Sequence, residues 1–313
     1  MNQKCIGIDI GGTSVKMGLF QADGTLLKKW EIPTRKEDGG ANILGDIAAS
    51  IRQQMKGEGI ALTELAGAGM GLPGPVLPNG HIEFCVNLGW KAGNPQEELS
   101  RLLDGIPVKS GNDANVAALG EMWQGGGRGY KNLVMVTLGT GVGGGVILNE
   151  KIWTGMQGVG GEIGHMHIVE GEKEQCNCHG YGCLEQVASA TGIARVARRL
   201  LGKDERPSVL RQAANLNAKH VLDAAKAGDE LALEALNTSC YYLGWALAAV
   251  TMVLDPEAYL IGGGVSRAGT FLTDLIRKYH NELSPMATKK ADIVLAELGN
   301  DAGIYGAAKL ILG

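Results

Sequence analysis

The sequence predicts an α/β protein built from two similar halves. Three observations carry this expectation. At 313 residues the chain is longer than one typical domain and suits two domains sharing a cleft. Apolar segments of strand length are interleaved with segments of helical spacing. One unusual unit, a strand, a Gly/Thr turn and a second strand, occurs twice: in residues 5–20, CIGIDIGGTSVKMGLF, and again in residues 133–149, LVMVTLGTGVGGGVILN. Two such hairpins facing each other imply two similar halves with a nucleotide between them.

The first hairpin turns at Gly11 and Gly12. It lacks the GxxxxGK[ST] phosphate loop, and the segment after GGT has the period-two pattern of Val15, Met17 and Leu19 rather than a helix, so a Rossmann or Walker assignment fails. A hairpin turn that offers backbone N–H groups, a Thr hydroxyl and an Asp can hold a Mg²⁺-bound phosphate tail; the plainer alternative is an ordinary Gly-Gly turn. Residues 42–55 have helical spacing at Ile43, Ile47 and Ile51, and residues 66–72 form a small-residue strand. The Pro- and Gly-rich loop GLPGPVLPNGHIEFCVNLGW follows, carrying Asn87 and Trp90, and loops of this kind on a rigid frame often bind ligands. A strand is expected at 107–110. Asn112 and Asp113 then open a helix, where Asp113 serves either as an N-cap or as a carboxylate displayed at a strand end, the place where open α/β sheets bind ligands.

Further along, helices are expected at 187–201, 213–227 and 230–254, with the loop GKDERP after the first. AYLIGGGVS, residues 258–266, reads as a buried strand ending in Gly262, Gly263 and Gly264, so backbone can approach a flat ligand such as adenine, or else turn tightly into a helix. IVLAEL is the last strand, and residues 302–312 form a terminal helix that packs back on the N-terminal half.

Residues 160–185, GGEIGHMHIVEGEKEQCNCHGYGCLE, concentrate the polar chemistry. Cys176, Cys178 and Cys183 with His165 can supply three thiolates and an imidazole to a tetrahedral Zn²⁺, and such a closed set marks a structural site. His179 and His167 compete as ligands. The alternative is a disulfide, which is disfavoured because no signal peptide is apparent and disulfides are rare in reducing cytosol. Cys5, Cys85 and Cys240 lie in apolar contexts and read as reduced core residues.

Composition removes other function classes. A net charge of −4 and a pI near 5.9 leave no basic footprint for nucleic acid. The uncharged run at 239–254 is too short for a bilayer span and is closed by Asp255 and Pro256, so it reads as a buried helix. The 49 glycines exceed the usual share of about 7 % and gather at strand ends, where they allow tight turns and close ligand approach.

Taken in order, DIGGT (9–13), LPGPV (72–76), NLGW (87–90), NDANVAALGE (112–121), LGTGVGGG (138–145), GGEIGH (160–165) and CNCHGYGCLE (176–185) make the chain resemble the ROK family of bacterial sugar kinases over almost its whole length, and within it the ATP-dependent glucokinases. The resemblance implies the two-domain actin/hexokinase-like (ribonuclease H-like) α/β fold with a central cleft and a zinc-binding loop at 165–185. The expected division is a smaller N-terminal domain, 1–115 completed by 301–313, and a larger one, 116–300. The resemblance further implies that Asp9, Gly11, Gly12 and Thr13, with Thr140, Gly141 and Gly143, surround the ATP phosphates and their Mg²⁺, and that Gly262, Gly263 and Gly264 lie beside the adenosine. It places Asn87, Asn112, Asp113, Glu162, His165 and Glu185 at the sugar, with Asp113 as the base toward the sugar hydroxyl. It favours His165 over His179 as the fourth zinc ligand, with its other ring nitrogen turned to the sugar.

Two departures stand out. Ser14 occupies a position where many relatives have Lys, although Lys16 falls on the same strand face, and His179 stands where Gly is common after the second metal cysteine. The expected reaction is transfer of the γ-phosphoryl of MgATP to the 6-hydroxyl of an aldohexose, glucose first, with N-acetylmannosamine, allose, mannose and fructose as alternatives. Closure of the two domains is expected to exclude water as a competing nucleophile. A sugar-responsive repressor is the rival from another class, but Asp9 follows Met1 too closely for a preceding DNA-binding domain. A cytoplasmic homo-oligomer, dimer or tetramer, that binds neither nucleic acid nor membrane completes the expectation.

Overall fold

The first hairpin of the sequence lies at the centre of a five-stranded sheet. The computed structural model describes residues 3–313. The chain divides into two units: the first takes residues up to Lys131 with Gly145–Gly161 and Glu297–Gly313, and the second takes Asn132–Gly144 and Glu162–Ala296.

In the first unit the strands β1 (Lys4–Ile10), β2 (Ser14–Gln21), β3 (Leu26–Pro33), β4 (Leu65–Leu72) and β5 (Val108–Asn112) take the order β3-β2-β1-β4-β5. The hairpin pairs antiparallel with Asp9 opposite Lys16, while β4 and β5 add in parallel. The short turn α1 (Glu37–Gly40) leads into α2 (Ile43–Glu58), whose Ile43, Ile47, Ile51 and Met55 recur at helical spacing and join Ile6, Ile8, Met17 and Leu19 in one core. Burying each such side chain contributes about 1.5–3 kcal/mol. Gly59 in the left-handed region ends α2. The helices α3 (Pro95–Leu102), α4 (Asp113–Gln124) and α10 (Ala302–Leu312) complete the unit. The terminal helix α10 packs on β1, β4 and α4, as its apolar sequence predicts. The approach is so close that a Cβ at Gly69 would collide with the Ala307 carbonyl.

Buried Glu121 ties the return segment to this unit. Its carboxylate accepts from the N–H groups of Gly126 at 3.0 Å, Glu297 at 2.9 Å and Leu298 at 2.8 Å. A buried carboxylate with three such donors is well satisfied, and it fixes the loop after α4 together with the entry to α10.

The second sheet contains β6 (Leu133–Leu138), β7 (Val142–Leu148), β8 (Lys151–Ile152), β9 (Ala258–Gly262) and β10 (Asp292–Leu295) in the order β10-β9-β6-β7-β8. The division between the units falls within β7. Helices of the second unit are α5 (Glu185–Ala188), α6 (Ala190–Leu201), α7 (Ala218–Lys226), α8 (Glu230–Leu254) and α9 (Thr270–Leu283). The helix expected at 187–201 is divided at Ser189, whose extended backbone caps α6 by accepting from the Gly192 N–H. The helix expected at 213–227 begins only at Ala218, because Asn217 caps it and Val209–Gln212 forms a separate 3₁₀ turn. Among the described residues no helix is long and apolar enough to cross a membrane.

Candidate functional site

In the first unit the turn between β1 and β2 carries Gly11, Gly12 and the exposed Thr13. It is closed by Gly11 N–H donating to the Ser14 carbonyl at 3.0 Å. Thr34, which sequence reasoning passed over, reaches it from the end of β3: its hydroxyl donates to the Gly11 carbonyl at 2.7 Å, and its N–H to the Thr13 carbonyl at 3.0 Å. The signal was available in the short distance between a strand end and a neighbouring turn, but it needed the β2–β3 register to be read. Asp9 sits on β1 beside the first turn of α10, with its carboxyl against Gly303. Burial raises the Asp9 carboxyl above its ordinary value, Lys16 opposite offsets part of the rise, and Asp301 adds to it. A bound cation would relieve that burial cost. Lys16 itself donates from Nζ to the Asn300 carbonyl at 3.2 Å, so its ammonium anchors the segment before α10.

Asn112 and Asp113 fall where β5 meets α4. The capping role belongs to Asn112, whose side-chain oxygen accepts from the N–H groups of Ala114 at 3.0 Å and Asn115 at 3.2 Å, while its amide donates to the Gly74 carbonyl. Asp113 is therefore the first helical residue, and Asn112 also donates to its Oδ1 at 3.0 Å. A half-buried carboxylate at the C-terminal end of a parallel strand and the N-terminus of a helix is well placed to act on a ligand. Asn87 lies exposed in the 3₁₀ turn Val86–Leu88, fixed from below by buried Leu88 and Cys85. A Cβ on Gly12 would stand 4.0 Å from the Asn87 carbonyl, so this turn and the Gly11–Thr13 turn are neighbours.

The second unit repeats the bracing scheme. The Thr191 hydroxyl donates to the Thr140 carbonyl at 2.7 Å, and the Ala190 N–H donates to the Gly139 carbonyl at 2.8 Å. Thr140 is exposed in the turn, and Gly143 is half-buried on β7. Gly141 lies directly against the Glu185 carboxylate, which any side chain there would strike. Among the three glycines after β9, Gly262 is buried within the strand, whereas Gly263 has φ 83° and leaves no room for a Cβ beside Leu138. Gly264 faces open space. Gly263 is thus required by the fold, and Gly264 has the free approach expected beside a flat ligand.

The cysteine loop assembles as its residues predict. One ligand atom from each of His165, Cys176, Cys178 and Cys183 can be chosen so that all lie within 4.8 Å of one another. Sulfurs on a tetrahedral Zn²⁺ stand about 3.8 Å apart. Here Cys178 and Cys183 Sγ are 3.5 Å apart, and Cys176 Sγ is 3.8 Å from His165 Nδ1. All six cysteines are free, and 3.5 Å is far beyond a disulfide bond length of about 2.05 Å. The donor set of three sulfurs and one imidazole fits zinc. Burial and the Glu185 carboxylate, 2.9 Å away, push the Cys176 thiol up to about 12. His167 stands apart, with Nδ1 2.6 Å from the Tyr181 carbonyl, and His179 lies outside the four-ligand group. His179 has φ 67°, in the left-handed region, which gives a physical reason why glycine suits this position.

His165 joins the metal group to two carboxylates. Its Nδ1 is 3.8 Å from Glu185 Oε1, while Nε2 on the other side is 4.0 Å from Glu162 Oε2. Gln186 accepts from the Cys183 N–H at 3.0 Å and donates to the Glu174 carbonyl at 2.9 Å, bracing the loop from α5. Arg199 pairs with Glu172 and holds that carboxyl well below its usual range, at about 2.

A two-sheet α/β chain with paired glycine-turn hairpins and a Cys₃His loop defines a class of protein, and comparison with known proteins gives the family. The ROK family profile matches residues 5–313, so the chain belongs to the ROK family. It is 42% identical over 311 residues to a glucokinase from Halalkalibacterium halodurans, covering 98% of this chain and 94% of that one. A glucokinase from Thermotoga maritima is 39% identical over 314 residues, covering 98% and 97%. The crystal structure of a ROK family glucokinase from Streptomyces griseus in complex with glucose and AMPPNP matches with a TM-score of 0.74 at 32% identity, covering 98% of each chain.

Proposed function

We propose that this protein is a glucokinase that transfers the γ-phosphoryl of ATP to the 6-hydroxyl of glucose. The observation that carries the reading is the placement of Glu162, His165 and Glu185 around one zinc-binding loop, in a chain 42% identical to a glucokinase. Glu162, His165 and Glu185 bind neighbouring sugar hydroxyls, with Asn87 and Asn112, and Asp113 accepts the proton of the hydroxyl that attacks. The Gly11–Thr13 and Thr140–Gly141 turns and Gly143 hold the phosphates, Asp9 faces their Mg²⁺, and Gly262, Gly263 and Gly264 lie along the adenosine. Mg²⁺ supplies charge neutralisation for a loose transition state, and the protein supplies position. Zn²⁺ on His165, Cys176, Cys178 and Cys183 is structural, because four protein ligands leave no open position for a reacting water.

An acetamido group at C2 would disturb hydroxyl pairing by the two carboxylates, which supports glucose over N-acetylmannosamine. Six free cysteines support a reducing, cytoplasmic setting. A homo-oligomer is supported by Tyr241 and Trp245, both about two-fifths exposed on α8, together with exposed Met252 and Val253. The test is a coupled ADP-release assay across glucose, mannose, allose, fructose and N-acetylmannosamine. Glucose is expected to give the highest kcat/KM, and equal or better turnover of N-acetylmannosamine would overturn the assignment.

A further inference from the structure

The segment from Thr34 to Gly40 touches both candidate ligand turns of the first unit. At its start, Thr34 makes two hydrogen bonds to the Gly11–Thr13 turn, at 2.7 Å from its hydroxyl and 3.0 Å from its N–H. At its end, the Gly40 carbonyl accepts from Trp90 Nε1 at 3.0 Å, and Trp90 closes the turn that displays Asn87. That closure is a reciprocal backbone pair: Cys85 N–H donates to the Trp90 carbonyl at 2.9 Å, and Trp90 N–H to the Cys85 carbonyl at 3.1 Å. Between the two ends, Arg35 makes a bidentate pair with Asp46 of α2, at 2.6 and 2.5 Å, so the segment is held in the middle as well.

Its backbone is shaped for close contact with the Asn87 turn. Asp38, Gly39 and Gly40 are three successive residues with φ of 53°, 66° and 73°. A non-glycine residue in that region is uncommon. Gly40 also presses on the Asn87 turn so closely that a Cβ would collide with the Leu88 carbonyl and stand 2.8 Å from Trp90 Nε1. Gly39 and Gly89 meet backbone to backbone, with an added Cβ on Gly89 only 3.2 Å from Gly39 Cα. A cavity of about 430 Å³, lined in part by Asp38, Leu44, Trp90 and Glu98, lies beside the contact and leaves room for the segment to shift once a bond is lost.

We propose that residues 34–40 are a strap that positions the phosphate turn and the Asn87 turn as one body, so that order imposed on either turn is transmitted to the other. Thr34 and Trp90 are its positioning residues. The proposal rests on the reading that Gly11–Thr13 hold phosphate and Asn87 contacts sugar. It is tested on the full-length, zinc-loaded enzyme with Thr34→Val, which keeps shape and removes the hydroxyl, Trp90→Phe, which keeps an aromatic ring and removes the indole donor, and the double variant. Losing one neutral hydrogen bond corresponds to about 2- to 10-fold in an equilibrium constant.

Each single variant is expected to raise KM for both ATP and glucose within that range while kcat changes less, and the double variant is expected to fall short of the product of the two. Thr34→Ser restores the hydroxyl and is expected to return both constants toward wild type. The strap is overturned if Thr34→Val alters only the ATP constant, Trp90→Phe only the glucose constant, and their effects multiply, or if Thr34→Ser behaves like Thr34→Val. The underlying reading fails separately if Thr13→Ala and Asn87→Ala leave both constants unchanged, since those side chains are the proposed contacts themselves.

Discussion

The two glycine-turn hairpins follow one plan and differ in what supports them. In each, a threonine hydroxyl donates to a carbonyl of the turn at 2.7 Å: Thr34 to Gly11 in the first, Thr191 to Thr140 in the second. Thr34 belongs to the segment leaving the next strand, so the first turn is braced by its own sheet. Thr191 belongs to α6, beyond the cysteine loop, and the break at Ser189 that starts this helix also sets Glu185 against Gly141. Ser189 donates to the Glu185 carbonyl at 2.7 Å, and Glu185 in turn contacts Cys176. The second hairpin therefore shares its support with the candidate zinc site, whereas the first is braced from within its own sheet.

The largest effect expected from this difference is at Asp113, which sits with the first hairpin. Asp113→Asn keeps the size of the side chain but cannot take a proton, so kcat is expected to fall about 100-fold or more. The fold should survive, because Asn112 does the capping. Zinc content and glucose affinity should stay near wild type. Near wild-type turnover would remove Asp113 from the chemistry and leave the first hairpin without a reacting group.

Metal removal strikes the other side of the comparison. Zinc binding contributes on the order of 10 kcal/mol to organising small metal domains, and in this chain it would hold His165 and Glu185 in register. Chelation or Cys178→Ser is expected to weaken glucose binding about 10-fold or more, with a smaller change in ATP affinity. Metal analysis with titrations of both ligands checks this. A metal-free protein with normal glucose affinity would show that the loop holds its shape through Gln186 and Arg199 alone.

The same contrast separates what could be read in the sequence from what could not. The hairpins, α2, α8 and the cysteine cluster were legible because each depends on local pattern: period two around a Gly turn, isoleucines at helical spacing, or ligands close in sequence. The end of α8 was marked as well, by Asp255 and Pro256, whereas its N-cap, Asp229, emerges only in the structure. Helix α3 was overlooked although Asn94 and Pro95 form a good start signal, because its two buried residues, Pro95 and Leu99, give little periodicity. The division at Ser189 was hidden because serine fits a helix interior tolerably, and only the tertiary demand on Glu185 and Thr191 favours the break. The bracing roles of Thr34, Glu121 and Gln186 need contacts between distant segments, which no local pattern announces.

Acid should separate the two units by sign. His280 in the second unit is fully buried, with Nε2 2.9 Å from the Thr251 hydroxyl, Asn281 beside Nδ1, and the Tyr259 ring packed edge-on. Burial lowers its pKa below the ordinary 6.5, the hydrogen bond to Asn281 offsets part of this, and nearby Lys290 adds to the lowering. The unfolded chain then binds the proton first, so stability is full above about pH 6.5 and declines as pH falls toward the lowered folded value. Asp9 in the first unit has the opposite sign: its raised carboxyl binds a proton before the unfolded chain does, so its burial cost is relieved as pH falls through the raised value toward 3.8. Melting curves of zinc-loaded wild type and His280→Gln between pH 7.5 and 5.5 should show a shallower decline in the variant. Parallel declines would assign acid sensitivity to other groups.

The smallest expected effect tests the metal loop without touching its proposed ligands. His179 holds φ 67° while its N–H donates to the Cys176 carbonyl at 2.9 Å and its carbonyl accepts from Gln175 Nε2 at 2.9 Å. The backbone of this residue shapes the turn, and its ring lies outside the four-ligand group. An L-residue in the left-handed region costs about 1–2 kcal/mol relative to the right-handed one. Glycine removes that cost but adds unfolded-chain entropy of about 0.5–1 kcal/mol. His179→Gly should therefore stabilise the protein by about 1 kcal/mol or less, with zinc stoichiometry and glucose affinity unchanged. Competition with a chelator is the sharper readout: faster zinc loss from the glycine variant would make the His179 ring a ligand and replace His165 in the metal group, returning His165 wholly to the sugar side.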